Sequence, residues 1–390
     1  MAVGAKLKMG MVGGGPGAFI GEVHRKAAQL DGQIEMVAGT FSSNPRKSKS
    51  MANVLALDSR RVYRDYCEMI AKESQLPPEQ RIDFVSIVTP NNTHFPIARD
   101  LLKAGFHVVC DKPMTMTVAE AKFLRKTVQQ TRRLFCLTHN YTGYPMVKLA
   151  RDMVAGGELG KIRKIVIHYP QGWLATAIEK TGQKQAAWRT DPKLSGLGGS
   201  LGDLGSHCEN IAEYITGLKI REICAELTSF VKGRKVNDDA NCLFRFTGGA
   251  KGILHSSQVA LGEENGLVIW IYGDQGGLEW QQEEPNTLQI KKGDGPAESW
   301  RCGHDYVGQK SPAAARATRL PFGHPEGFIE AFANIYSNFA ECLQAHKERR
   351  KPDPLAVDYP NVNDGLRGML FIDTVLASAK NKQKWTRIKK

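Results

Sequence analysis

Five short apolar runs, at residues 7–12, 34–38, 84–88, 106–110 and 134–138, punctuate the first 140 residues. Runs of this length bounded by turn residues read as buried strands. Between them lie segments of helical period at 23–30, 45–55, 97–103 and 118–130, with Gly105 placed as the C-terminal cap of the third. Strand and helix in alternation predict a mostly parallel, doubly wound α/β sheet. After a helix at 146–155 the rhythm changes. Residues 162–169, 223–231, 240–246, 250–259 and 267–273 read as strands, most of them separated by glycine-rich or charged turns. Consecutive strands without helices between them predict a large, open, mostly antiparallel sheet. Residues 326–346 and 362–379 read as helices, and 281–322 shows no regular pattern. The expected organisation is a Rossmann-type domain over 1–140, a second α/β domain over 141–361, and a C-terminal helix and tail over 362–390 that packs back on the first domain.

Composition changes this picture little. A chain of 390 residues, 42% hydrophobic and 24% charged, suits two soluble domains at about 100–200 residues each. The net charge of +13 invites nucleic-acid binding, but the basic residues are scattered and no nucleic-acid motif accompanies them. An anionic cofactor or substrate is the better use of that field. Eight cysteines form no Cys-x-x-Cys pair and no zinc spacing, so no metal site is expected and a reducing compartment is. The first ten residues carry no signal-type apolar region, and there is no apolar stretch of membrane-spanning length. The expectation is a cytoplasmic protein with a small-molecule substrate and no nucleic-acid or membrane partner.

The candidate chemistry lies in four segments. Gly13-Gly14-Gly15-Pro16-Gly17-Ala18 follows the first strand. Glycines there let backbone approach a pyrophosphate, and the next helix offers free N–H groups. The alternative is a glycine turn with no ligand. The second strand ends in Thr40-Phe41-Ser42-Ser43-Asn44, without the acid that would hold an NAD ribose. Arg46 and Lys47 follow and suit a 2′-phosphate, so NAD and NADP stay open. Ser42 and Ser43 either bond the ribose directly or, as Ser43/Asn44, cap the next helix. Thr89-Pro90-Asn91-Asn92-Thr93-His94 sits at the C-terminal end of the third strand, where such sheets bind ligands, though its residue types also suit a turn and cap.

Lys112 follows the fourth strand in Asp111-Lys112-Pro113, either as a substrate-oxygen donor or as an ordinary exposed lysine. Between 195 and 205, glycines occur at 196, 198, 199, 202 and 205, and Asp203 and His207 follow four apart. On a helix this spacing puts carboxylate and imidazole on one face, where the carboxylate fixes the tautomer and raises the basicity of its partner. Lysine, histidine and carboxylate are what is needed to take a proton from a hydroxyl while its carbon loses hydride.

In this order the motifs resemble those of the glucose–fructose oxidoreductase/inositol dehydrogenase/MocA family over nearly the whole length. They are Val12-Gly13-Gly14-Gly15, Thr89-Pro90-Asn91 with His94, Gly105-Phe106-His107-Val108 leading to Asp111-Lys112-Pro113, Trp188-Arg189 with Asp191-Pro192, the segment 198–207, and Asp364-Gly365-Leu366-Arg367. Where the family has Glu-Lys-Pro, this chain has Asp111. The resemblance implies Lys112, Asp203 and His207 as the catalytic set. On the cofactor side it implies Gly13, Gly15, Ala18, Phe19, Ile20, Ser42, Ser43, Arg46, Thr89, Pro90, Asn91, His94, Asp111, Lys112 and Asn140. On the substrate side it implies Tyr144, Tyr169, Gln171, Trp173 and Arg189 beside the catalytic three. It implies NAD(P)-linked oxidation or reduction at a ring carbon of a sugar, sugar derivative or cyclitol, anionic ones included, by a homo-oligomer (dimer or tetramer). A second enzymatic reading is redox-neutral glycoside cleavage, in which oxidation at C3 permits elimination and NAD is regenerated. A non-enzyme reading is an NAD(P)-binding regulatory protein.

Overall fold

The computed structural model describes residues 6–389. Contacts divide the chain into two compact units, one of residues up to 138 together with 332–366, the other of 139–331 together with 367 onward. In the first unit the chain runs β1 (Leu7–Gly13), α1 (Phe19–Leu30), β2 (Ile34–Thr40), α2 (Pro45–Val54), α3 (Tyr66–Glu73), β3 (Phe84–Val88), α4 (His94–Lys103), β4 (His107–Cys110), α5 (Val118–Thr131) and β5 (Phe135–Leu137). The five strands form a parallel sheet in the order β2-β1-β3-β4-β5. The strand order reverses between β1 and β3, the position at which open α/β sheets bind ligands. Met9, Met11, Phe84, Ile87, Val108 and Val109 are fully buried in it. Each such side chain contributes about 1.5–3 kcal/mol through loss of contact with water. Thr117 and Glu120 form a reciprocal capping box that starts α5, a cap worth about 1 kcal/mol.

The second unit continues with α6 (Pro145–Ala155), β6 (Lys164–Pro170), α7 (Lys184–Arg189), α8 (Pro192–Ser195), α9 (Ser206–Thr216), β7 (Ile220–Thr228), β8 (Asp239–Phe246), β9 (Lys251–Ser257), β10 (Val268–Tyr272), β11 (Gly276–Gln281), β12 (Thr287–Lys292), β13 (Glu298–Arg301), α10 (Asp305–Lys310) and α11 (Pro312–Arg316). Helices α12 (Phe328–Glu348) and α13 (Val362–Lys380) and the short strand β14 (Thr386–Arg387) complete the chain. Nine strands form one sheet in the order β13-β12-β11-β10-β6-β9-β8-β7-β14. Every neighbouring pair is antiparallel except β6 and β9. Burial alternates along β6, with Ile165, Ile167 and Tyr169 buried and Val166 and His168 half-buried, the period of a sheet with one covered face.

Two sequence expectations are corrected here. The stretch 281–322 is not irregular: it holds β12, β13, α10 and α11. Leu288 and Ile290 alternate with Thr287, Gln289 and Lys291 in β12, a run that closes on two adjacent lysines. Helix α3 has no counterpart among the expected elements. It is anchored by polar groups: buried Glu73 accepts from the Arg61 guanidinium, the Tyr63 hydroxyl and the Ile82 amide. The tail divides between the two units. Residues 332–366, including most of α12, cluster with the first unit. Beyond residue 366 the tail joins the second, where β14 pairs with β7 and the Ser378 hydroxyl accepts from the Ala225 amide.

Candidate active site

In the first unit, the turn after β1 is shaped by what a side chain would strike. Gly13 has φ +93°, and a Cβ there would come within 2.8 Å of the Val88 carbonyl oxygen. A Cβ on Gly15 would lie 2.2 Å from the Phe41 carbonyl oxygen. The turn is therefore pressed against the ends of β3 and β2, as backbone must be to leave room for a pyrophosphate. Ala18 starts α1 in extended conformation, and no side chain caps the helix. The first-turn amides and the positive end of the helix are thus placed to meet an anion. These residues fit the diphosphate of a nicotinamide dinucleotide. Past β2, Asn44 caps α2 by accepting from the amides of Arg46 and Lys47. The capping alternative therefore holds for Asn44, while Ser43, Arg46 and Lys47 stay exposed.

Two strand-end loops lie beside this turn. His94 is fully buried, with Nε2 2.8 Å from the Thr89 carbonyl oxygen and Nδ1 2.9 Å from that of Pro113. Its ring joins the loop after β3 to the loop after β4. Both nitrogens face backbone oxygens, so His94 is placed to position these loops, whereas the family resemblance implies a cofactor contact. Asp111 accepts from the Lys112 amide at 2.8 Å and from the Thr138 hydroxyl at 3.0 Å. The carboxylate thereby fixes the turn that carries Lys112, which leads through a cis bond into Pro113. A Cβ on Gly365 would lie 2.4 Å from the Met114 sulfur. The glycine of the C-terminal motif thus allows close packing two residues past Lys112.

In the second unit, residues 201–205 form a π-turn that runs directly into α9. Such widened turns are frequent at functional sites. Its glycines answer to Asn237: a Cβ on Gly199, at φ +51°, would meet the Asn237 carbonyl oxygen at 2.3 Å. Asn237 receives the amides of Ser200 and Leu201 and donates to the Gly198 carbonyl at 2.6 Å. The glycine cluster therefore serves close backbone approach, with a buried asparagine loop as one neighbour.

Asp203 and His207 lie in consecutive turns of this helical stretch. Asp203 Oδ2 accepts from Arg189 Nε at 3.2 Å and from Gln258 Nε2 at 2.9 Å. Arg189 itself lies 4.3 Å from the Trp188 ring centroid. His207 is buried against aromatic rings, with centroids of Tyr141 at 4.7 Å and His139 at 5.5 Å. The Tyr141 and Tyr169 hydroxyls bond each other, and Tyr169 donates to Asn265 Oδ1 at 2.8 Å. Gln171 donates to the same oxygen at 2.7 Å and accepts from Trp173 Nε1 at 3.0 Å. Burial pushes the Tyr141 phenol up to about 12, so it stays a neutral donor near pH 7.

The structure thus gathers Asp203, His207, Arg189, Tyr169, Gln171 and Trp173 into one polar cluster. Tyr144 is fully buried against Trp280, with the ring centroids 5.3 Å apart. Asn140 is buried in the short turn that begins this unit. Sequence reasoning missed Asn237, Gln258, Asn265 and Tyr141. Asn237 lies three residues before the strand predicted over 240–246 and Gln258 at the end of the one predicted over 250–259, which is the only local signal they carry. Among the described residues, no group of three His, Cys, Asp or Glu side chains could hold a metal, and no helix is long and apolar enough to cross a membrane.

Comparisons with known proteins agree with this division. Residues 7–139 match the family described as "Oxidoreductase family, NAD-binding Rossmann fold", and residues 147–279 match the "GFO/IDH/MocA C-terminal domain". The chain is 31% identical over 386 residues to an uncharacterised oxidoreductase, YfiI, of Bacillus subtilis, covering 98% of this chain and 97% of that one. An oxidoreductase structure from Sinorhizobium meliloti is 44% identical with a TM-score of 0.88, covering 98% and 99% of the two chains. An inositol dehydrogenase homologue from Azotobacter vinelandii, complexed with NADH and myo-inositol, is 33% identical with a TM-score of 0.90 and 98% coverage of each chain. With both halves matched in order, the chain belongs to the GFO/IDH/MocA family of NAD-binding oxidoreductases.

Proposed function

We propose that this oxidoreductase is a dehydrogenase of a cyclitol or sugar, oxidising one ring hydroxyl or reducing the corresponding ketone. The observation that carries the reading is the placement of Asp203 and His207 in consecutive turns of one helical stretch, with Asp203 held by Arg189 and Gln258 and His207 set among phenols. His207 takes the hydroxyl proton on a ring nitrogen. Asp203 orients the imidazole and stabilises its protonated form. Lys112 donates to the same substrate oxygen and offsets the negative charge that grows as the proton leaves. A nicotinamide dinucleotide, which the glycine turn after β1 would hold, would supply the hydride acceptor or donor. Tyr169, Gln171 and Trp173 supply hydroxyl, amide and indole groups suited to a ring bearing several hydroxyls. Arg189 is engaged with Asp203, which argues for a neutral rather than an anionic substrate.

The relative complexed with NADH and myo-inositol makes myo-inositol the first compound to test. Absorbance at 340 nm, followed with NAD or NADP against a panel of inositols and aldoses, should rise steadily for at least one of them. Glycoside cleavage without net NADH would replace this reading with the redox-neutral one. We also place the protein in the cytoplasm, which its eight free cysteines support. Exposed Leu243 and Tyr272 on the large sheet support a homo-oligomer, which light scattering in solution would test.

A further inference from the structure

The five-stranded sheet has a second edge, at the N-terminal ends of its strands. A cavity of about 250 Å³ opens there, lined by Arg81, His107, Arg133, His346, Lys347 and Asp83 among others. Strand β3 has five residues, so this edge lies about 16 Å from the strand-end loops at about 3.3 Å per residue.

The basic groups come from four separate segments: the approach to β3, the start of β4, the turn before β5, and α12. Asp83 is the one carboxylate among the lining residues. It is already engaged with Lys347 Nζ at 2.6 Å and with the Lys8 amide at 2.7 Å. Neither Arg81 nor Arg133 has a carboxylate partner among the described residues. Arg81 lies over the Phe106 ring, 5.8 Å from its centroid. Arg133 donates from Nε to the Thr131 carbonyl, which leaves its two terminal nitrogens. The Leu134 amide donates to His107 Nδ1 at 2.8 Å. The neutral ring therefore carries its proton on Nε2 and can only donate there. Two half-buried guanidiniums without counter-charge are costly, and an oriented imidazole N–H adds a third donor. Burial, with the nearby charges of Arg133, Lys347 and Arg81 adding to it, holds His107 down to about 3.

We propose that this cavity binds a phosphate group, either free phosphate or the phosphate of a small metabolite. Guanidinium forks match the paired oxygens of a phosphate, and a phosphate's oxygens outnumber those of a single carboxylate. The site is separate from the glycine turn, at the opposite edge of the same sheet.

The test is calorimetry of inorganic phosphate against the full chain saturated with NAD, at constant ionic strength, so that the glycine turn is already filled. Saturable binding with a Kd of about 1 mM or tighter is expected. Arg81→Gln and Arg133→Gln should each weaken it at least about tenfold, the difference that 1.4 kcal/mol makes. Each should melt at or above the wild-type temperature without phosphate, since each removes an uncompensated charge. The exposed Lys235→Ala, in the other unit, should bind as wild type does. Tighter binding of a sugar phosphate than of phosphate assigns the site to a metabolite; equal binding assigns it to the free ion. Non-saturable heats, unchanged binding in both Arg variants, or succinate binding as tightly as phosphate would overturn the proposal.

Discussion

The two units build their candidate sites from different materials. In the first, the turn after β1 is made of backbone, and its residues are chosen for what they lack: Gly13 and Gly15 leave no room for a Cβ. In the second, the site is made of side chains whose geometry depends on partners far away in sequence. Asp203 is held from positions 14 residues before it and 55 after it. A backbone site therefore fails by steric intrusion and should lose binding. A side-chain site fails by losing one functional group and should lose turnover.

The largest effect is expected at His207. His207→Ala should lower kcat by about 10²–10⁴-fold, the usual contribution of a positioned acid–base group. Near-wild-type turnover would remove His207 from its assigned role. Lys112→Met sharpens the comparison, because Lys112 sits in the first unit but is proposed to act through its side chain. The substitution keeps the stem and deletes the charge, so kcat should fall by about 10²–10³-fold with a modest change in KM. Loss of cofactor affinity with turnover intact at saturating cofactor would instead make Lys112 a dinucleotide contact.

How much was legible in the sequence follows the same line. The parallel sheet, the glycine turn and the Asp203/His207 spacing are local patterns, and each lies where the sequence predicts it. The supports of the side-chain site are not local. Gln258 reaches Asp203 only because β9 leads back beside the π-turn, and Asn237 meets Gly199 through the loop before β8. A lone Asn or Gln near a strand end is common, so neither carries a signal by itself. His94 was legible as a motif residue but not in its role, since its two carbonyl partners lie 5 and 19 residues away. The strands at 287–301 were hidden by charged residues such as Lys291, Lys292 and Glu298, of which Lys291 pairs with Glu279 and Lys292 with Glu298, both exposed.

Smaller effects probe the supports. Gln258→Leu removes one bond to Asp203 and should reduce kcat by about 2–10-fold, the equivalent of 0.5–1.5 kcal/mol, with NADH affinity unchanged. An effect on NADH affinity alone would contradict its assignment to the side-chain site.

Acid should weaken the first unit through His24. This imidazole is buried, bonded to the Tyr336 hydroxyl at 2.7 Å, and held down to about 4 by its burial. Its proton affinity is lower in the folded state than in the unfolded one. Its neutral form is therefore accommodated above about pH 6.5, and stability is lost as pH falls from there toward 4. Lowering the pH across that window costs on the order of 3 kcal/mol, because protonating the unfolded chain alone gains about 1.4 kcal/mol for each pH step. Melting temperatures between pH 7 and 4.5 should fall less steeply in His24→Gln than in wild type. Parallel slopes would show that His24 does not set the acid sensitivity.

The most direct test of the distinction between a backbone site and a side-chain site is a fluorescence titration of NADH against Gly15→Ala and His207→Ala side by side. Gly15→Ala must displace the Phe41 carbonyl, and overpacking of about 1–3 kcal/mol translates into NADH binding about 5–150-fold weaker. His207→Ala should bind NADH within about threefold of wild type while remaining nearly inactive. Equal loss of NADH affinity in both variants, or wild-type affinity in Gly15→Ala, would contradict the account.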